Sequence, residues 1–258
     1  MSPAVVTAIV SGRQHVFLAS RVRIRRDVEV LQCQGSRTRR PECRKLSVFI
    51  QIGVQARQEF DPIDRFLWQI LDFAASFNGG PWYEPPKYLT DYYTDEAVKV
   101  IEANKDRPFF LYLAHWAPHT PLQAAKEDYE ALEQIDLHRE RVYAGMIRGL
   151  DRGVGRVLQA LKDNGLDENT LVIFTSDNGG AGYIGLPDVN APFRGWKITL
   201  FEGGIHVPYF AKWPAQIPAG TVVEDPVHHF DIYATAAAAA GVPMPDDRKM
   251  DGVDLVPH

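Results

Sequence analysis

The sequence predicts an α/β fold: a mostly parallel sheet sandwiched by helices and incomplete at its N-terminal side. Three observations carry this expectation. From Tyr88 onward, helical and strand-like segments alternate, the pattern that builds parallel sheets with helices on their faces. Two uninterrupted apolar runs, Phe109 to Ala114 and Leu171 to Phe174, are short enough for buried strands, and each breaks into polar residues. The composition also shifts near residue 58. Residues 1–58 hold 11 Lys and Arg against 3 Asp and Glu, while the remainder holds 17 against 30. The basic part has no interleaved aromatics and no nucleic-acid motif, so the shift reads as a boundary rather than a binding arm.

A chain of 258 residues with 45% hydrophobic and 24% charged content is large and apolar enough to bury a core. No run reaches the roughly 18 apolar residues of a membrane span. Ala4 to Val10 is apolar but follows no basic segment, so it does not read as a secretory signal, and the compartment stays open. Cys33 and Cys43 are too few for a disulfide framework and lack zinc-ligand spacing.

Taken in order, Val22 to Arg25 and Val28 to Val30 alternate as a half-exposed strand would, and Gln34 to Lys45 is a basic loop. Residues 59–87, rich in aromatics but broken by Gly79-Gly80-Pro81 and Pro85-Pro86, predict loop and short helix. Residues 1–87 are therefore set apart from a domain at 88–258. In that domain a helix begins at Thr94-Asp95-Glu96, carries Ala97, Val98, Val100 and Ile101, and stops at Asp106-Arg107-Pro108. The strand Phe109 to Ala114 delivers His115-Trp116-Ala117-Pro118-His119-Thr120-Pro121, a loop stiffened by two prolines. Arg139 to Asn164 is the longest helix, with an apolar stripe from Val142 to Leu161 and Gly165 as its C-cap. The strand at Leu171 runs into Asp177-Asn178-Gly179-Gly180. A last helix follows Asp231 and ends at Gly241.

The chemistry lies at the strand ends, the edge where open α/β sheets bind ligands. Asp177 and Asn178 offer a carboxylate and an amide oxygen, donors suited to a hard cation; Asp-Asn-Gly-Gly is equally the composition of a plain turn. Lys197 would neutralise an anion beside that cation, and His119 sits fixed between prolines. His115 reads as structural, and Arg194 with Glu202 as a surface pair. His228-His229 offers either a metal dyad or a helix cap.

These residues resemble the sulfatases of the alkaline-phosphatase-like superfamily. The resemblance rests on Pro108 to Ala114 leading into Ala117-Pro118-His119-Thr120-Pro121, and on Phe174-Thr175-Ser176-Asp177-Asn178-Gly179. It continues through Arg194-Gly195, Lys197, Glu202-Gly203-Gly204, Pro208 to Pro214, Asp231, Gly241 and Asp251-Gly252. It covers about residues 88–258 in order. It implies a metal-dependent hydrolase of sulfate esters, acting on a small molecule or a sulfated glycan, with no nucleic-acid or membrane partner. It further implies a divalent ion, calcium above others, on Asp177 and Asn178. His119 and Lys197 would bind the sulfate, with His119 helping to protonate the leaving alcohol. The family's nucleophile is a formylglycine made from cysteine, and its members are commonly periplasmic or secreted.

The departures are specific. No paired aspartates stand before residue 58. The nearest match to the nucleophile motif is Cys33-Gln34-Gly35-Ser36-Arg37, with Gly35 where Pro or Ala belongs. The family's Gly-Lys-Trp-His segment is missing, Trp196 and His206 replace a common glycine and arginine, and the chain stops at His258 before the smaller C-terminal subdomain. The expectation is a sulfatase whose activity is impaired or absent, with residues 1–58 read as foreign or rearranged. A phosphodiesterase or phosphonate hydrolase of the same superfamily, or a non-catalytic remnant, are the alternatives.

Overall fold

The computed structural model describes residues 5–11, 49–51, 75–76 and 82–256. In chain order its elements are β1 (Val5–Ser11), β2 (Phe49–Gln51), β3 (Ala75–Ser76), β4 (Trp82–Tyr83), α1 (Leu89–Asn104), β5 (Phe110–His115), α2 (Lys126–Glu130), α3 (His138–Asp163), β6 (Thr170–Ser176), α4 (Glu202–Ile205), β7 (Tyr209–Lys212) and α5 (His229–Ala239). Five strands form one sheet in the order β2-β5-β1-β6-β7. The first four run parallel, and β7 closes one side antiparallel to β6.

Helices cover both faces, as the alternation predicts. Leu111, Leu113 and Val172 pack with Tyr93, Ala97 and Ile101 of α1 and Val157, Ala160 and Leu161 of α3. The alternate residues Leu171 and Ile173 point the other way, into Trp213 and Ile232, Ala236 and Ala239 of α5. This is the two-residue period of a strand with both faces buried. Among the described residues no helix is long and apolar enough to cross a membrane.

Three local expectations change. The short apolar run near the N-terminus becomes β1, the middle strand. Helix α1 starts at Leu89 rather than Thr94, because Thr90, Tyr93, Thr94, Ala97, Ile101 and Asn104 form its buried stripe. Thr94 belongs inside that stripe: its hydroxyl donates to the Thr90 carbonyl at 2.9 Å, so burying it leaves no polar atom unmet. Within residues 59–87, the described stretches are two short antiparallel strands, with Ala75 opposite Tyr83, and the loop leading to α1. The segments Val22 to Arg25, Val28 to Val30 and Gln34 to Lys45, and both cysteines, lie outside the described residues.

Helix α3 follows prediction within a residue at each end, and Gly165 caps it with φ 68°. Its inner face is partly glycine. Gly145, Gly149 and Gly153 recur every fourth residue and bring the helix against α2 and α1. A Cβ on Gly145 would lie 2.9 Å from the Ala124 Cβ, and one on Gly149 3.0 Å from the Asp128 carboxylate. The buried Asp128 in turn accepts from Arg148 at 2.7 Å and from Arg152, which also reaches Asp91 at 3.0 Å. This charged knot ties α1, α2 and α3 together directly after the loop that carries His119.

Candidate anion site at the sheet edge

Strand register decides which loops meet. Ser11, the last residue of β1, pairs with His115 on one side and Ser176 on the other. Strands β5 and β6 therefore end level, and their following loops emerge at the same carboxyl edge. One loop carries His119 and the other Asp177 and Asn178.

The His119 loop is built by its own polar atoms. The His119 amide donates to the Trp116 carbonyl at 2.9 Å, and the Trp116 indole N–H to the Thr120 carbonyl at 3.2 Å. Both the Ala117–Pro118 and Thr120–Pro121 peptides are cis. The His119 Nδ1 lies 2.7 Å from the Thr120 carbonyl. A carbonyl only accepts, so Nδ1 carries the proton and Nε2 presents a lone pair. Facing it at 3.1 Å is the Lys197 Nζ. Lys197 also lies over the Tyr183 ring, 4.9 Å from its centroid. The two residues expected to grip an anion are thus in direct contact.

Asp177 and Asn178 are half-buried at the end of β6. The Ser176 hydroxyl donates to the Asn178 carbonyl at 2.9 Å and folds the chain over. Beyond them the loops touch backbone to backbone. Gly179 N–H donates to Gly204 O at 3.0 Å, Gly203 N–H to Arg194 O at 2.8 Å, and Lys197 N–H to Gly180 O at 3.3 Å. A Cβ on Gly179 would overlap the Gly203 carbonyl outright, and one on Gly204 would do the same to Thr199 O. The glycines that looked like turn punctuation are there because side chains would not fit.

Asn190 completes this arrangement and was not singled out in the sequence. Its Oδ1 accepts from Gly180 N–H at 2.7 Å, while its Nδ2 donates to Gly180 O at 3.0 Å and to Gly195 O at 3.1 Å. Only its place in the run Asn190-Ala191-Pro192, a turn-former near proline, marks it in the sequence.

The remaining candidates separate cleanly. His115 is fully buried against Tyr93, ring centroids 6.2 Å apart, and burial pushes its pKa down to about 4. His228 is a helix cap: its Nδ1 accepts from Phe230 N–H at 3.2 Å, and its own amide N–H donates to the Asp231 carboxylate at 2.7 Å. His229 instead reaches back to the sheet, its Nε2 3.2 Å from the Thr175 hydroxyl. Burial and the neighbouring His228 hold its pKa below the usual value, against the opposing pull of a Ser176 backbone bond. Arg194 and Glu202 do not form the expected pair. Arg194 lies over the Phe201 ring, 4.2 Å from its centroid, and Glu202 bonds His206 at 2.8 Å. Cys33 lies outside the described residues.

Asp177 and Asn178 are hard oxygen donors, right in kind for calcium, but that ion takes 6–8 oxygens. Among the described residues no group of three or more His, Cys, Asp or Glu side chains stands close enough to hold a metal. The described donors therefore do not make a complete site.

A family model described as Sulfatase matches residues 47–242. The uncharacterized sulfatase YdeN of Escherichia coli is 34% identical over 215 residues, covering 78% of this chain and 38% of that protein. N-acetylgalactosamine-6-sulfatase of Canis lupus familiaris is 39% identical over 174 residues, covering 66% of this chain and 32% of the relative. Among solved structures, Ps i-CgsB in complex with k-i-k-neocarrahexaose is 41% identical, with a TM-score of 0.67 over 71% of this chain and 41% of that one. The chain thus spans less than half the length of each of these three. The parallel sheet covered on both faces, the ordered motifs along its carboxyl edge and these matches agree: the chain belongs to the sulfatase family and has its alkaline-phosphatase-like fold.

Proposed function

We propose that this chain carries the anion-binding part of a sulfate-ester hydrolase acting on a sulfated carbohydrate. The observation that supports it most directly is the 3.1 Å contact between Lys197 Nζ and His119 Nε2 at the edge where β5 and β6 end. An ammonium held there opposes the charge that develops on sulfuryl and bridging ester oxygens, the electrostatic contribution that dominates much acyl- and phosphoryl-type transfer. His119 has its Nδ1–H anchored on Thr120, so Nε2 is the atom that faces the leaving alcohol and can hand it a proton once the ring has taken one up to become imidazolium. Asp177 and Asn178 would contribute two of the oxygens around a divalent ion, calcium being the best match in donor type. Such an ion, when bound, would add a second positive charge against the sulfate.

A sulfated oligosaccharide is favoured as substrate on the names of two relatives: one is an N-acetylgalactosamine-6-sulfatase, and a solved neighbour was crystallised with neocarrahexaose. Turnover by the chain as it stands is impaired. Its candidate formylglycine precursor, Cys33, sits in a motif altered at Gly35.

The test is to measure sulfate release from para-nitrophenyl sulfate and from sulfated oligosaccharides, with calorimetric titration of vanadate, a tetrahedral oxyanion, with and without calcium. Intact-mass analysis of the peptide containing Cys33 accompanies it. Oxyanion binding without appreciable turnover, and an unmodified thiol, is the expected result. Turnover at about 1 per second or faster would overturn the impairment. Failure to bind vanadate under either condition would overturn the anion site.

A further inference from the structure

We infer that Asn190 is a positioning residue that sets the distance between the Asp177-Asn178 loop and Lys197, and so maintains the Lys197–His119 contact. The inference rests on the anion-site reading for its catalytic meaning, but its geometry stands apart from it.

The side-chain amide of Asn190 behaves like a backbone unit inserted between two loops. Toward Gly180 it makes the reciprocal pair that two peptide groups make, accepting from the N–H at 2.7 Å and donating to the carbonyl at 3.0 Å. Its second amide hydrogen serves Gly195 O at 3.1 Å, two residues before Lys197. Gly180 directly follows Asp177-Asn178-Gly179, and its carbonyl also accepts from the Lys197 amide at 3.3 Å. Both ends of the candidate site are therefore held by one half-buried side chain. Gly195 has φ 91° and lies where a Cβ would come 2.8 Å from that of Phe201, so position 195 can offer only its backbone carbonyl to Asn190. Thr199, by contrast, serves Trp196 within its own loop.

The amide is chemically specific. Aspartate keeps the acceptor for Gly180 N–H but supplies no donor for either carbonyl, and alanine supplies neither. If Asn190 acts through the Gly195 bond, Asn190→Asp and Asn190→Ala will have similar effects on Lys197. A residue that merely fills space would not distinguish donor from acceptor.

The test uses nitrogen NMR of the His119 ring, assigned with a His119→Gln variant, which reports the tautomer and the hydrogen bond on Nε2. In the wild type, Nδ1 is protonated and Nε2 is shifted by the Lys197 ammonium. In Asn190→Ala and Asn190→Asp the Nε2 resonance moves toward that of an unbonded imidazole nitrogen, and vanadate affinity falls about tenfold, the scale of effect that a small misplacement produces. Ala236→Gly in α5, which packs against Leu171, Ile173 and Trp213 rather than against these loops, serves as a destabilised control and leaves the His119 resonances unchanged.

Hydrogen exchange on the wild type provides a measurement that no folding failure can remove: the Gly180 amide is protected relative to solvent-facing amides of the same loop. An unprotected Gly180 amide, or unchanged His119 resonances in both variants, overturns the inference. If the wild type binds no vanadate, the anion site falls, while the His119 resonances and Gly180 protection still decide the role of Asn190.

Discussion

The Lys197 ammonium meets the His119 imidazole at 3.1 Å although the two residues stand 78 positions apart in the chain. Their meeting depends on three separate arrangements: the level ends of β5 and β6, the tautomer fixed by Thr120, and the glycine and asparagine contacts that seat the Lys197 loop.

Replacing Lys197 with methionine keeps most of the side chain's length and removes its charge. Loss of a charge-assisted hydrogen-bond donor is worth about 1.5–3 kcal/mol, so vanadate affinity should fall roughly ten- to a hundredfold. Arginine should not restore it, since a planar fork does not reproduce a compact ammonium. Isothermal titration of the three proteins checks this; wild-type affinity in Lys197→Met would remove Lys197 from the site.

Gly179→Ala forces a methyl group into the Gly203 carbonyl. Overpacking against backbone costs about 1–3 kcal/mol, and this contact belongs at the upper end because a carbonyl on a stitched loop cannot rotate away. Gly155 gives the opposite case: it is exposed on α3 with nothing within 4 Å of its would-be Cβ. Gly155→Ala should stabilise by about 0.5–1 kcal/mol through helix propensity. Denaturant midpoints of the pair test both signs.

Asp128 is fully buried under Arg148 and Arg152. Removing one partner of a buried ion pair costs about 3–5 kcal/mol. The arginine side chains here remain 47% and 30% exposed and can rehydrate, so Asp128→Ala should cost less, about 2 kcal/mol. Asp95, which pairs with Arg156 at 2.6 Å on the surface, should cost under about 1 kcal/mol when changed to alanine. Equal losses in the two variants would show that the buried knot does not hold the three helices.

His115 gives stability a pH dependence. Burial lowers its pKa from 6.5 to about 4, and among the described residues neither ring nitrogen has a hydrogen-bond partner. The unfolded chain gains a proton below pH 6.5, whereas the native state stays neutral until about pH 4. Stability from this residue is therefore complete above that interval and is lost as pH falls through it, by up to about 3 kcal/mol. His115→Phe should flatten that part of the stability curve, as followed by urea unfolding across the interval; an unchanged slope would place the titration elsewhere.

Much of this was written in the sequence. The apolar runs at Phe109 and Leu171 announced buried strands, the stripe from Val142 to Leu161 announced α3, and the polar residues after each strand announced an edge with chemistry. Local pattern suffices there because it reflects which side chains must leave water, and that requirement is read residue by residue. Thr94 misled because its hydroxyl satisfies itself inside a helix as readily as it caps one.

Only the tertiary structure decided which strands are neighbours, that Val5–Ser11 runs between β5 and β6, and that His119 faces Lys197. A two-residue period specifies a strand's faces but not its partners, so strand order in a parallel sheet depends on contacts between distant segments. The same holds for Asn190 and the glycines around it: their role is to fill or vacate space between loops, and that space does not exist until the sheet has brought the loops together.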